Sequence, residues 1–479
     1  MRRTRLALFI ASAGLLAVGL VAVPGCSGSG GTGAAEKQPA GEPGKYLPDF
    51  DRAWELVRDT HYDENYNGVD WNAVRDELRP RAEMARTRAE MRALINEMVS
   101  RLNQSHFGII PQEVETPDAL AETATADNSA TPEIPTGDGD GNADPGIDFR
   151  VIDGRAIVTA IRTGSAAERA GVRTGWIISK VRDRDITAII TDLAEAVGEH
   201  TSQIYALQTI ERMIDGRPGT TIEITFLDGA DAEHTLDLMR NNPPGMPVKF
   251  GNLPTINTYF EHRWLTAEET GDPDAKVGYI AFNIFMIPVA PQFERAMYEF
   301  KDADGVIIDL RGNPGGVGAM AGALGRFFVT EKKNLGTMSM RGAELQFNAE
   351  PVAVTSAGER LPPFTGPVAM LIDSASASTS EVFAGGMRAI GRITTFGQRT
   401  AGMALPAAMD RLPSGDVLLH AIADYVNSDG TRLEGDGVPA DVEVPLNRKD
   451  LLDGIDAPLR EAAHWIVNQT AAQPTANDN

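Results

Sequence analysis

The runs "VGYIAF" (277–282), "GVIIDL" (305–310) and "VAMLID" (368–373) are apolar at nearly every position, without the alternation of a strand that has one wet face. Such strands need cover on both sides, which a parallel sheet between helices provides. Each run is followed by a segment with apolar residues three and four apart: "APQFERAMYEF", "GAMAGALGRFF" and "SEVFAGGMRAI". Strand then helix, three times over, predicts a buried α/β core over residues 244–447. Residues 448–479 read as a closing helix, "LREAAHWIVNQ", and a loose tail.

A chain of 479 residues exceeds one ordinary core, so two to four domains are expected. "DFDRAWELVRDTHY" and "TRAEMRALINEMVSRLNQ" predict an all-helical N-terminal domain over 46–111. Short strand runs return at "GIDFRVID", "RAIVTAI", "TTIEITFL" and "EHTLDLM", a small β-rich domain over 146–240. Within it "TDLAEAVGEHTSQIYALQTIERMIDG" reads as one long helical stretch. Between these two lies 112–145, an acidic linker by composition. Its Asp138, Asp140, Asn142 and Asp144 imitate the start of a calcium loop, but Ala143 and Phe149 stand where that loop needs Gly and Glu.

The first residues carry an address. Arg2, Arg3 and Arg5 precede an apolar run from Leu6 to Val23, and "VPGC" ends at Cys26, the chain's one cysteine. This is the layout of an export signal over 1–26, and the cysteine after Gly25 resembles a lipobox, with Cys26 the acylated residue. Residues 27–45 form a flexible tether. The expected location is the cell envelope, outside the cytoplasm, held to the membrane by lipid. A single cysteine forms no disulfide framework. A formal charge of −23 argues against nucleic acid as a partner, since phosphate binding needs clustered Lys and Arg.

Two stretches promise chemistry. In "DLRGNPGG" (309–316) a buried strand ends, and Gly315 and Gly316 let backbone N–H groups approach a ligand or an oxyanion. In "SASTSE" (376–381) Ser378 and Glu381 have the spacing of a helix-capping box, yet a serine at a buried helix start also places its oxygen at the positive end of the helix dipole. A serine nucleophile needs a base, and no lysine occurs between Lys333 and Lys449. Seven histidines remain as candidates, among them His420 within the core pattern. No HExxH, cysteine cluster or phosphate loop points to a metal or cofactor.

"GYIAF", "DLRGNPGG", "SASTSEVFAGGMRAIGR", "TAG" and "RLEGDGVPADVEV" together, in order and spacing, resemble the C-terminal-processing (tail-specific) serine peptidases, tricorn and retinoid-binding-protein-like branch included. The resemblance covers 275–446. It implies a ClpP/crotonase-like spiral of ββα units, with a PDZ-like domain at 146–240. By it the nucleophile is Ser378, chosen over Ser376 and Ser380. The lysine of the Ser–Lys branch is replaced by Met403, and the glutamine after it by Ala407; a thioether accepts no proton from serine. The tricorn branch uses histidine instead, which selects His106 as base, Ser105 and Glu434 as its support, and the N–H groups of Gly316 and Thr379 as the oxyanion hole, Gly315 being the alternative. Gly146, Ile147, Asp148 and Phe149 would hold the C-terminus of a peptide, by strand addition. The implied activity is a cofactor-free serine endopeptidase acting on peptides or unfolded proteins. The rival reading is a peptide-binding scaffold that has lost catalysis, motivated by Met403; an acyl-CoA enzyme on the related crotonase fold suits neither the export signal nor the PDZ-like segment.

Overall fold

The computed structural model describes residues 42–111, 141–248 and 255–471, together with the backbone of Ala11–Ser12. Cys26, the tether and most of the acidic linker, Asp138 and Asp140 included, lie outside the described residues. Ala11–Ser12 pairs antiparallel with Gly316–Val317. Among the described residues no helix is long and apolar enough to cross a membrane.

The protein is a multidomain mixture of helix and sheet. Three helices open it: Leu47–Thr60, Trp71–Met84 and Arg88–Ser100. Their starts follow from sequence. Pro48 stands in the first turn of the first, Asp70 accepts the Ala73 N–H (3.0 Å), and Thr87 forms a reciprocal capping box with Glu90. Trp54 and Trp71 lock the first two helices by donating their indole N–H groups to each other's carbonyls, at 2.9 and 3.1 Å. The region is not wholly helical. Gly108–Ile110 is a strand, paired antiparallel with Val417–Ala421 of the core. The helices share one apolar cluster with Leu405, Leu412, Leu418 and Ala421, so this unit is welded to the core.

The middle unit is an antiparallel sheet in the order Ile147–Ile152, Arg155–Ile161, Ile177–Val181, Thr221–Leu227, Glu233–Met239. It begins slightly before the expected boundary, since Ala143 and Asp144 already bridge Gly216 and Asn241. Asp144 pairs with Arg162, at 2.7 Å. The long helical stretch is two helices, Ile186–Val197 and Glu199–Ile214, broken at Gly198, whose φ of +85° suits only a residue without Cβ.

In the core, Val277–Phe282, Gly305–Asp309, Val368–Ile372, Thr394–Gly397 and Val442–Glu443 run parallel in that order, with Phe260–Trp264 antiparallel at one edge. The helices Val289–Glu299, Met320–Gly325 and Thr379–Ala389 share one apolar cluster with these strands. Helix Ala457–Ala471 packs in a second cluster that holds Ile307, Ala369 and Leu371, the strand residues intervening between those of the first. That two-sided cover explains the unbroken apolar runs. A second sheet, Ala343–Ala349, Lys333–Met340 and Ala423–Asn427, was not legible as strands.

Candidate active site

Strand Val368–Ile372 ends at a tight segment from which helix Thr379–Ala389 departs, with Ser378 at its mouth. Three serines compete here, and their hydrogen bonds separate them. Ser376 donates its hydroxyl to the Leu310 carbonyl (2.7 Å), and Ser380 to the Asn313 carbonyl (2.8 Å). Ser378 alone among them directs its hydroxyl at an imidazole: Oγ is 3.2 Å from His106 Nε2. Its backbone is held at φ +56°, ψ −117°, a conformation that costs a non-glycine residue on the order of 1–3 kcal/mol. The capping spacing is also used, for the Ser378 N–H donates to Glu381 Oε2 at 2.9 Å.

His106 arrives from the other end of the chain, on the turn between helix Arg88–Ser100 and strand Gly108–Ile110. Pairing of that strand with Val417–Ala421 carries the turn to the serine. The ring is buried and its Nδ1 lies 2.7 Å from Ser105 Oγ. Ser105 Oγ donates to Glu434 Oε2 (2.8 Å), while Glu434 Oε1 accepts the Ser105 N–H (2.8 Å). One proton per hydroxyl then fixes the tautomer. Ser105 spends its hydrogen on the carboxylate, so its oxygen accepts from Nδ1–H, and Nε2 carries the lone pair that faces Ser378. Burial lowers the His106 pKa to about 4, which keeps the ring neutral at ordinary pH, and burial also pushes Glu434 up, partly offset by the N–H groups of Ser105 and Ala404. A hydroxyl facing a neutral imidazole acceptor can lose its proton as its oxygen attacks an electrophilic carbon.

The glycine turn lies against the serine. A Cβ at Gly315, where φ is +102°, would meet Ser378 Cβ at 2.7 Å, so only glycine allows this approach. The Gly315 N–H donates to Asn313 Oδ1 (3.0 Å), and the Gly316 carbonyl accepts the Thr379 hydroxyl (2.9 Å). Met403 stands one bond from the serine: its carbonyl accepts the Ser378 N–H at 2.9 Å. Its side chain packs with Ile204, Ala377 and Ala401, an apolar patch where an ammonium would be desolvated. His420 is engaged elsewhere, by Thr60 Oγ1 at 3.1 Å and Asp410 Oδ2 at 2.9 Å.

Of the four residues expected at a peptide terminus, Gly146 precedes the edge strand of the middle sheet and the other three open it. Gly146 (φ +88°) donates its N–H to Asp144 Oδ1 at 2.5 Å, Ile147 and Asp148 pair with Ile161 and Ala160, and Phe149 is buried in the domain's core. The residue after them, Arg150, reaches across to Asp373, whose other oxygen accepts the Gly312 and Ala375 N–H groups. Sequence reasoning missed this link and also missed Glu381 as more than a cap; the Ser-x-x-Glu spacing was its only signal. Among the described residues no group of three or more His, Cys, Asp or Glu could hold a metal ion.

Residues 276–444 match the peptidase family S41 and residues 45–100 the tricorn protease C1 domain. A carboxyl-terminal-processing protease of Synechocystis is 23% identical over 405 residues, covering 82% of this chain and 80% of that one. A tricorn protease homolog of Streptomyces coelicolor is 24% identical over 451 residues, which is 92% of this chain but 34% of that longer protein. The solved structure of a photosystem II D1 C-terminal processing protease shares the fold, with a TM-score of 0.54 at 21% identity over 87% of this chain and 99% of the other. By these matches residues 276–444 form a peptidase family S41 domain with a tricorn protease C1 domain ahead of it, and the chain is similar to carboxyl-terminal-processing proteases.

Proposed function

We propose that the protein is an endopeptidase of the tail-specific type, with Ser378 as nucleophile and His106 as general base. Neutral His106 takes the Ser378 proton as Oγ attacks the scissile carbonyl, then returns it to the leaving amine. Glu434, acting through the Ser105 hydroxyl, holds the ring and offsets its charge when protonated. The N–H groups of Gly316 and Thr379 stabilise the tetrahedral oxygen, and water activated at His106 releases the acyl group from Ser378. The observation that carries this reading is the unbroken path Glu434–Ser105–His106–Ser378, at 2.8, 2.7 and 3.2 Å.

In the same proposal the core is a ClpP/crotonase-like spiral and the middle unit a PDZ-like domain, which takes substrate C-termini as an added strand beside Ile147–Ile152. An antiparallel sheet with that strand at its edge and the helix Glu199–Ile214 against it supports this. The chain is further proposed to be exported and acylated at Cys26; incorporation of a palmitate analogue by the wild type and not by Cys26→Ala is the expected result.

Met403 favours one rival, a peptide-binding scaffold without catalysis. A fluorophosphonate probe separates the two. Labelling of the wild type that is lost in Ser378→Ala and falls at least 1,000-fold in His106→Ala, a rough figure for loss of a triad member, is expected of the peptidase. A wild type that stays unlabelled sinks the mechanism.

A further inference from the structure

Glu381 stands beside the site without joining the proton path. Its side chain is wholly buried, and its carboxylate accepts four hydrogen bonds. Oε1 takes the Thr400 hydroxyl (2.6 Å) and the Gly402 N–H (2.7 Å); Oε2 takes the N–H groups of Met403 (2.9 Å) and Ser378 (2.9 Å). The next amide along, that of Ala404, turns instead to Glu434 Oε2 at 3.0 Å. Residues 400–404 therefore hang between two carboxylates, the buried one of Glu381 tied to the backbone of Ser378 and the half-buried one of Glu434 tied to Ser105. The segment is braced from behind as well. The Gly402 carbonyl accepts the Gly435 N–H (2.8 Å), and Thr400 Oγ1 accepts the Val438 N–H (2.6 Å).

We propose that Glu381 is a positioning residue for the peptidase reaction: its carboxylate holds Ser378 in its strained positive-φ conformation and, through residues 402–404, keeps Glu434 in register with His106. The inference rests on Ser378 being the nucleophile. Two features make the carboxylate specific for this task. Both oxygens are needed as acceptors, since each faces two donors. A glutamine would turn its NH2 toward one of these pairs, and each pair contains a backbone N–H that cannot reverse. The donors are all neutral, so burial, uncompensated by any cation among them, pushes the Glu381 carboxyl up to about 7. Protonation in that range replaces one acceptor by a donor and loosens the same hold. The titratable groups reached through its partners are His106, beyond Ser378, and Glu434, beyond Ala404.

The test is the rate of Ser378 labelling by a fluorophosphonate between pH 5 and 8.5, in the full chain. The wild-type rate is expected to fall as pH drops through about 7, well above the His106 value. Glu381→Gln should fold, label roughly 100-fold more slowly at pH 8, as loss of two bonds to a charged group implies, and lack the limb near 7. Thr400→Val, which removes one donor, should slow labelling roughly tenfold and keep that limb. Equal rates for the wild type and Glu381→Gln at pH 8, or an acid limb that survives the substitution, overturn the proposal. If Glu381→Gln does not fold by circular dichroism, an unslowed Thr400→Val overturns it instead. A wild type that is never labelled removes the nucleophile assignment and this inference with it, whereas a labelled wild type with an unaffected Glu381→Gln removes only the inference.

Discussion

The hydroxyl of Ser105 has one proton to give, and Glu434 takes it. This single choice sets the direction of every bond on to Ser378. In Glu434→Gln an amide NH2 can donate to Ser105 Oγ, whose hydrogen then turns to Nδ1 and leaves the wrong tautomer facing Ser378. The expected outcome is a kcat lower by about 10,000-fold with KM little changed, by analogy with a triad whose orienting carboxylate becomes an amide; a change confined to KM would contradict the path. His106 also has a stability signature. Its pKa is lowered from 6.5 to about 4, so between those values the unfolded chain binds a proton that the native ring refuses. Stability from this group is therefore lost as pH falls from 6.5 to 4, by about 3 kcal/mol. His106→Gln should be spared that loss, which urea unfolding of both proteins at pH 6.5 and 4.5 would reveal. Residue types alone left His106 one histidine among seven, because nothing local distinguishes it. Ser378 and Glu434 lie hundreds of positions away, and only the motif resemblance linked them to it.

At the scale of elements, the three apolar runs were readable because burial on both faces removes alternation, and each is a strand of the core sheet. Two readings failed for local reasons. Helical periodicity ran through Gly198, and its φ of +85° is a property that no neighbouring residue announces. "GII" after His106 is too short to show a strand period, yet its pairing with Val417–Ala421 is what delivers the imidazole. Leu418 is the hinge of that arrangement: fully buried, it lies in the strand opposite Ile109 and in the cluster of the three N-terminal helices. Leu418→Ala should cost about 2–5 kcal/mol in denaturant unfolding. It should also reduce turnover more than an equally destabilising change in the closing helix, such as Ile466→Ala, because only the first loosens the element that bears His106. Equal activity losses at equal ΔΔG would show that this strand has no special part.

For the whole molecule, the question is whether a separate event must bring the two halves of the site together. His106 and Ser378 come from different units, which by itself suggests that domain closure controls activity. The folded chain argues otherwise. Its own residues bring Nε2 and Oγ to 3.2 Å. The N-terminal unit is fixed by a shared apolar cluster and by the bidentate pair of Arg92 with Asp416, at 2.7 and 2.8 Å. The middle unit is fixed on one side of the serine loop by Arg150 and Asp373, and on the other by His200, whose Nε2 lies 2.8 Å from the Thr400 carbonyl. Asp373 is nearly buried and Arg150 holds its pKa below the usual range, so the pair is costly to break, by about 3–5 kcal/mol when one partner is removed. A site held this firmly should react without a trigger. Fluorophosphonate labelling of the isolated chain should follow a single exponential with no lag. Adding a peptide that binds the middle unit should leave the rate within about twofold, since a ligand that does not distinguish two states of the site shifts neither. A lag, or a tenfold acceleration by such a peptide, would mean that the assembled arrangement is a minor state in solution and that closure regulates the enzyme after all.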